Sequence, residues 1–219
     1  MKSFKDGPIT TRVLKGINFS VAAGEFIAVM GRSGAGKSTL LYQMSLLDEP
    51  TEGDVIIEGR TARTMTGDEQ IKSRLEKFGY VFQDYALLPD LTALENVAVP
   101  LLMKGLTKKE AEEKAVAALM RVDLGTRLGN LPGQLSGGEQ QRASIARAIA
   151  HKPKVLFADE PTANLDLESS ATIMAMFTEL HDAGQTIIMV THEDEFARFA
   201  RRVVKIDEGK ILSDTSIRT

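Results

Sequence analysis

The sequence of 219 residues contains no cysteine. Without a thiol there is no disulfide framework, no thiolate metal site and no cysteine nucleophile. A chain this long needs no such staples, because folding buries about 70% of its unfolded surface. The absence also suits a reducing compartment, so the cytoplasm is the expected location. Glycine (18) and proline (7) are too few for a low-complexity or disordered chain. An excess of positive charge is missing as well. With 27 Lys and Arg against 30 Asp and Glu, the net charge of -3 gives no reason to expect nucleic acid as a partner. Apolar runs such as Val97–Met103, which Pro100 interrupts, fall far short of the roughly 20 residues that span a bilayer. Met1–Asp6 lacks the apolar stretch of a secretory signal, so any membrane role is expected to be peripheral.

What the sequence does contain is an alternation of strand-length apolar runs with segments of helical period. Phe26–Met30, Val155–Ala158 and Thr186–Val190 are aliphatic without alternation, as strands buried on both faces of a parallel sheet must be. Val203–Ile206, the turn Asp207-Glu208-Gly209 and Lys210–Leu212 predict a hairpin. Val13–Phe19 and the Ala22-Ala23-Gly24 turn before Phe26 predict a second antiparallel element, within an N-terminal part of about residues 1–30. Between about 85 and 150 the pattern turns helical. Thr107 with Glu110 and Ser136 with Glu139 are spaced as capping boxes ahead of Ala111–Val122 and Gln140–Ala150. A further helix is expected over Glu168–Asp182, closed by Gly184. The fold expected is α/β: one domain over 1–219, with a mainly parallel sheet, a helical subdomain and a small antiparallel β part.

Gly31-Arg32-Ser33-Gly34-Ala35-Gly36-Lys37-Ser38 matches G-x-x-x-x-G-K-[ST], between the run Phe26–Met30 and the helical stretch Thr39–Leu47. That context makes it the phosphate-binding loop of a P-loop NTPase. Its amides and the helix N-terminus attract phosphate, Lys37 reaches the β and γ phosphates, and Ser38 offers a hydroxyl to Mg²⁺. Lys154–Glu160 is an apolar strand ending in two carboxylates, where α/β folds place ligands. Asp159 suits the metal, and Glu160 suits the general base that polarises water toward the γ-phosphate. Leu135-Ser136-Gly137-Gly138-Glu139 reads both as a capped helix start and as a second anion site, because Ser136 and the glycine amides sit at a helix N-terminus.

Here the sequence resembles the nucleotide-binding subunits of ATP-binding cassette (ABC) transporters, whose LSGGQ signature appears as LSGGE. Val81-Phe82-Gln83-Asp84 resembles the family's Q-loop, and Ala163-Asn164-Leu165-Asp166 its D-loop. His192, after the run Thr186–Val190, resembles the switch histidine. The resemblance covers about Phe4 to Ile211. It implies an ATPase with Glu160, His192 and Gln83 catalytic and with Ser38, Gln83 and Asp159 on Mg²⁺. Residues Gly31–Thr39 would hold ATP, and Ser136, Gly137, Gly138 and Glu139 would complete the site in trans in a head-to-tail homodimer. Phe4, 27 positions before Gly31, stands where relatives stack an aromatic on adenine; it reads alternatively as part of a frayed terminus. Relatives carry a further strand before that aromatic, so the β part is expected to be trimmed or to start late.

The stretch Tyr80–Val97 looks most like the lipoprotein-release and macrolide-export subgroup. The partner implied is a membrane permease, docked over Tyr85–Leu91, with the chain on the cytoplasmic face of the inner membrane. A repair or chromosome ATPase with the same head would carry long coiled coils between Ser38 and Ser136; these lie 98 positions apart without sustained heptads. A soluble ribosome-binding relative would carry two heads, and this chain has one.

Overall fold

The computed structural model describes residues 1–217. From the N-terminus, β1 (Lys2–Asp6) and β2 (Ile9–Leu14) form a hairpin, and β3 (Phe26–Met30) leads to α1 (Lys37–Met44). A two-residue ribbon follows, β4 (Ile56–Ile57) with β5 (Arg60–Thr61), then α2 (Gly67–Lys77) and β6 (Phe78–Val81). Three helices come next: α3 (Ala93–Met103), α4 (Lys108–Arg121) and α5 (Gly137–Ile149). The chain ends with β7 (Val155–Asp159), α6 (Leu167–Asp182), β8 (Thr186–Thr191), α7 (Asp194–Ala197), β9 (Arg202–Asp207) and β10 (Lys210–Ser216).

The main sheet has the order β10-β9-β3-β8-β7-β6, parallel throughout except for the hairpin strand β10. Strand β3 shows why its run is apolar without a break. Phe26, Ala28 and Met30 enter the core under α3–α6, while Ile27 and Val29 enter the layer of α1 on the opposite face. Apart from Ala28, each of these side chains contributes about 1.5–3 kcal/mol when fully buried. All five residues of β3 are buried, so the loop that follows starts from a rigid strand end.

Four helices open with a complete capping box, at Thr66/Glu69, Thr92/Glu95, Thr107/Glu110 and Ser136/Glu139. Each satisfies two amide donors that the first turn would otherwise leave without partners. The first of these marks α2, which the sequence reading passed over although Thr66-Gly67-Asp68-Glu69 has the right spacing.

The antiparallel part differs from expectation. Its hairpin is Lys2–Leu14 rather than Val13–Phe19, while Phe26–Met30 lies in the parallel sheet as expected. The alternation in Ile17–Val21 is read by the side chains alone: Ile17, Phe19 and Val21 pack on the core without strand pairing. Just before it, the Lys15 amide donates to the Gly209 carbonyl (2.7 Å), which ties the segment to the β9–β10 turn. Nor is the terminus frayed. The Met1 ammonium donates to the Glu52 carbonyl at 2.6 Å, Lys2 pairs with Asp48 at 2.5 Å, and the Ser3 amide donates to Thr51 Oγ1 at 3.0 Å. Helix also begins later than residue 85: residues 84–92 form a loop, with left-handed backbone at Tyr85 and Ala86.

Candidate functional site

The loop from Gly31 to Lys37 joins β3 to α1 at the C-terminal edge of the sheet. Glycine is required twice. A Cβ at Gly31 would lie 2.2 Å from the Ile206 carbonyl oxygen, and Gly36 caps α1 at φ 98°. The first lets the loop hug β9, and the second swings the chain into the helix so that its first amides face outward. Lys37 folds back over the loop, its Nζ 3.2 Å from the Arg32 carbonyl. No acidic residue occupies the first turn of α1, so its dipole is left for an anion.

Strand β7 delivers the carboxylates from the other side. Asp159 Oδ1 accepts from the Ser38 hydroxyl at 2.9 Å. Glu160 turns out of the strand at φ 43°, its amide bonded to the Val190 carbonyl at 3.0 Å. This left-handed turn, costly for a residue with a side chain, aims the Glu160 carboxylate back across the cleft. There Oε1 lies 3.6 Å from Lys37 Nζ and Oε2 lies 3.2 Å from His192 Nδ1. The imidazole, just beyond β8, is half exposed, whereas the Lys37 side chain is only 5% exposed. Lys37, Glu160 and His192 thus face one cleft of about 780 Å³, which Arg32, Ser33 and Lys205 also line.

Burial pushes the Asp159 carboxyl above its ordinary range; the Ser38 hydroxyl pulls it back and the Glu160 charge adds to the rise. Sequence reasoning missed a neighbour of this carboxyl. Tyr42 faces Asp159, and burial together with that carboxylate raises the phenol. A signal was present, because Ser38 and Tyr42 stand four apart on one helical face.

Because the folded-state value of Asp159 is raised, its favourable contribution to stability is complete below the unfolded value and is lost as pH rises through the folded one. At neutral pH the ionised group therefore strains the empty fold. Asp159→Asn, which keeps the shape, should melt higher than the unaltered protein at pH 7.5 without nucleotide. The gain is about 2–4 °C for each kcal/mol released. A lower melting temperature in calorimetry would contradict this account of the carboxyl.

Other predicted residues lie apart from the cleft. Ser136 caps α5: its Oγ accepts from the Glu139 amide at 3.2 Å, leaving the hydroxyl hydrogen free to donate outward. Glu139 accepts from the Ser136 amide (2.8 Å) and from Arg127 (3.0 Å), and both hold its carboxyl below the usual range. Gly138 lies against Ser169, where a Cβ would come within 2.8 Å of the hydroxyl. Gln83 follows β6, and its carbonyl accepts from Asn164 at 3.0 Å. Phe4 sits in β1 opposite Thr11 with the Lys2 ammonium 5.0 Å from its ring centre, and it does not line the cleft. Within one chain, then, Ser136, at the start of the helix expected to form the second anion site, is not among the residues that line the cleft faced by Lys37.

Residues 14–163 match the protein family described as ABC transporter. The chain belongs to that family. As an ABC transporter ATPase it binds and hydrolyses ATP, and the likeness extends beyond the matched segment. Over 202 residues, 92% of this chain and 90% of the relative, it is 48% identical to the lipoprotein-releasing system ATP-binding protein LolD of Aquifex aeolicus. It is 46% identical over 97% of its length to the macrolide export ATP-binding/permease protein MacB of Agrobacterium fabrum. The ABC ATPase spans only a third of that relative, 33% of its length. Among solved structures, a dimeric post-hydrolysis state of the ATP-binding cassette MJ0796 bound to ADP and Pi superposes with a TM-score of 0.93 at 38% identity. That match covers 100% of this chain and 96% of the other.

Proposed function

We propose that this ABC ATPase powers a separate membrane permease of lipoprotein-release or macrolide-export type. It would work as a head-to-tail pair on the cytoplasmic face of the inner membrane. The convergence of Lys37, Glu160 and His192 on one cleft carries the catalytic part of this reading. The likeness to LolD and MacB supports the transport part. Among the described residues no helix is long and apolar enough to cross a membrane, so contact with the permease would be made by surface residues. Of the stretch Tyr85–Leu91, Leu88 is exposed, whereas Leu87 packs against the core.

The chemistry follows from the positions. The amides of Gly31–Thr39 and the Lys37 ammonium hold the triphosphate. The Lys37–Glu160 pair then opens, and the carboxylate takes a proton from the attacking water. His192, on the far side of Glu160, holds the terminal phosphate and the water in line. Phe4 would support the adenine ring on the face away from Lys2. Ser136, Gly137, Gly138 and Glu139 of the second copy would close over the γ-phosphate, with the Ser136 hydroxyl donating.

A Mg²⁺ ion suits the donor set. The Ser38 hydroxyl and the Asp159 carboxylate offer two hard oxygens side by side, and Gln83 offers an amide oxygen from the next strand end. When bound, it supplies neutralisation of the phosphate charge.

A shared site has a kinetic signature. The hydrolysis rate should rise faster than linearly with protein concentration until the pair is saturated, because one chain holds only half of each site. Phosphate release measured across a dilution series checks this. Constant specific activity from a chain that sedimentation shows to be monomeric would overturn the shared site.

A further inference from the structure

We propose that Arg147, on α5, is a positioning residue that locks the Gln83 loop to the helix that starts at Ser136. The two halves of the catalytic apparatus would then keep one relative placement during hydrolysis. The inference rests on the ATPase reading above and extends it to a residue that touches neither nucleotide nor metal.

The geometry is that of a clamp. Arg147 Nη1 donates to the Ala86 carbonyl at 2.5 Å and Nη2 donates to the Tyr85 carbonyl at 2.9 Å. Both acceptors belong to residues in left-handed backbone, Tyr85 at φ 63° and Ala86 at φ 49°. Two successive side-chain-bearing residues hold that conformation only where the surroundings over-determine it. A planar guanidinium can reach two successive carbonyls at once, which a lysine ammonium cannot do with the same geometry.

The bend that Arg147 holds connects the two regions. It carries the Tyr85 side chain to the start of α5, where a Cβ at Gly137 would lie 3.0 Å from the Tyr85 hydroxyl oxygen. On the opposite side, Asn164 holds the Gln83 carbonyl at 3.0 Å. Residues 83–86 are therefore gripped from α5 at one end and from the loop after β7 at the other.

Arg147 is partly buried, and that burial pushes its guanidinium below the usual range. The two carbonyl contacts compensate the hydration that the charge loses there.

The test uses the full-length protein in three forms: unaltered, Arg147→Lys, and Arg147→Lys combined with Ala86→Gly. Lysine keeps the charge and loses the fork. We expect kcat to fall by about tenfold while affinity for a fluorescent ATP analogue stays within about twofold, because the phosphate loop is untouched. Glycine accepts the left-handed backbone without a clamp, so Ala86→Gly should bring kcat back to within about threefold of the unaltered protein. Unchanged kcat in Arg147→Lys would overturn the proposal. So would a joint loss of kcat and affinity that glycine does not rescue, the behaviour of a residue that merely packs.

A measurement on the unaltered protein covers the case in which the lysine variant does not fold. Clamped guanidinium Nη–H groups exchange slowly and give separate NMR resonances; a single averaged signal for Arg147 would refute the clamp. Failure of the unaltered protein to hydrolyse ATP would instead strike the ATPase reading and leave that resonance pattern as it is.

Discussion

Glu160→Gln protein should bind Mg-ATP as tightly as the unaltered protein, hydrolyse it about 10² to 10⁴ times more slowly, and accumulate as an ATP-bound dimer. The substitution preserves volume and hydrogen-bonding capacity and removes only the carboxylate that can take a proton from water. The surrounding contacts survive it: the Glu160 amide still bonds the Val190 carbonyl, which holds the φ of 43°. The amide oxygen can still face the Lys37 ammonium in the place of Oε1, 3.6 Å away, while the amide NH2 takes the place of Oε2 and can donate to His192 Nδ1, 3.2 Å away, in the tautomer that carries its proton on Nε2. Neutralising the charge beside Asp159 also removes one cause of that carboxyl's raised pKa, which favours metal binding over proton binding. Since ATP stabilises the paired state and hydrolysis dissolves it, slow turnover shifts the population toward the pair. Size-exclusion chromatography should show a dimer with Mg-ATP and a monomer without nucleotide. Wild-type turnover in this variant would remove Glu160 as the base, and a monomer with ATP bound would undermine the sandwich.

Lys37→Ala acts on binding instead. A charge-assisted hydrogen bond of a buried ammonium to phosphate contributes about 1.5–3 kcal/mol, or roughly a tenfold to hundredfold loss of affinity on removal. The estimate suits this site because the Lys37 side chain is only 5% exposed, so water substitutes poorly for it. The loss has a second source. Without the ammonium, Glu160, itself largely buried at 18% exposure, faces the incoming phosphates without its ion-pair partner, and like charges repel. Equilibrium titration with a fluorescent ATP analogue measures the change. Unaltered affinity would mean that Lys37 does not face the phosphates, and the assignment of Gly31–Ser38 would fall with it.

Much of this site could be read before any coordinate was known, and the readable part has a common character. Gly31–Ser38 is contiguous, so composition and spacing within eight residues carry its chemistry. The capping boxes at Thr107 and Ser136 are decided by residues three apart. The runs Phe26–Met30 and Val155–Ala158 are apolar without alternation because both faces of their strands are buried, a demand written into every position of the runs.

Where sequence failed, distant chain decided. Ile17–Val21 alternates as a strand should, yet no neighbour offers it a ladder, and pattern cannot say whether a partner exists. A frayed terminus was the alternative to an adenine-stacking role for Phe4, but Asp48, Thr51 and Glu52, some fifty positions away, fasten the first three residues. Nothing local to Arg147 points to the carbonyls of Tyr85 and Ala86, some sixty positions before it, to which the fold brings it.

The sequence by itself thus determined what is local: the phosphate loop, the helix starts, the buried strands and the identity of the two carboxylates after β7. Only the tertiary structure decided the strand order that sets β3 beside β8 and β9, the meeting of Lys37, Glu160 and His192, and the separation of Ser136 from that cleft. The physical reason is one of range. Propensity, capping and periodicity act over a few residues, whereas pairing and burial act between segments whose separation along the chain leaves no trace in either one.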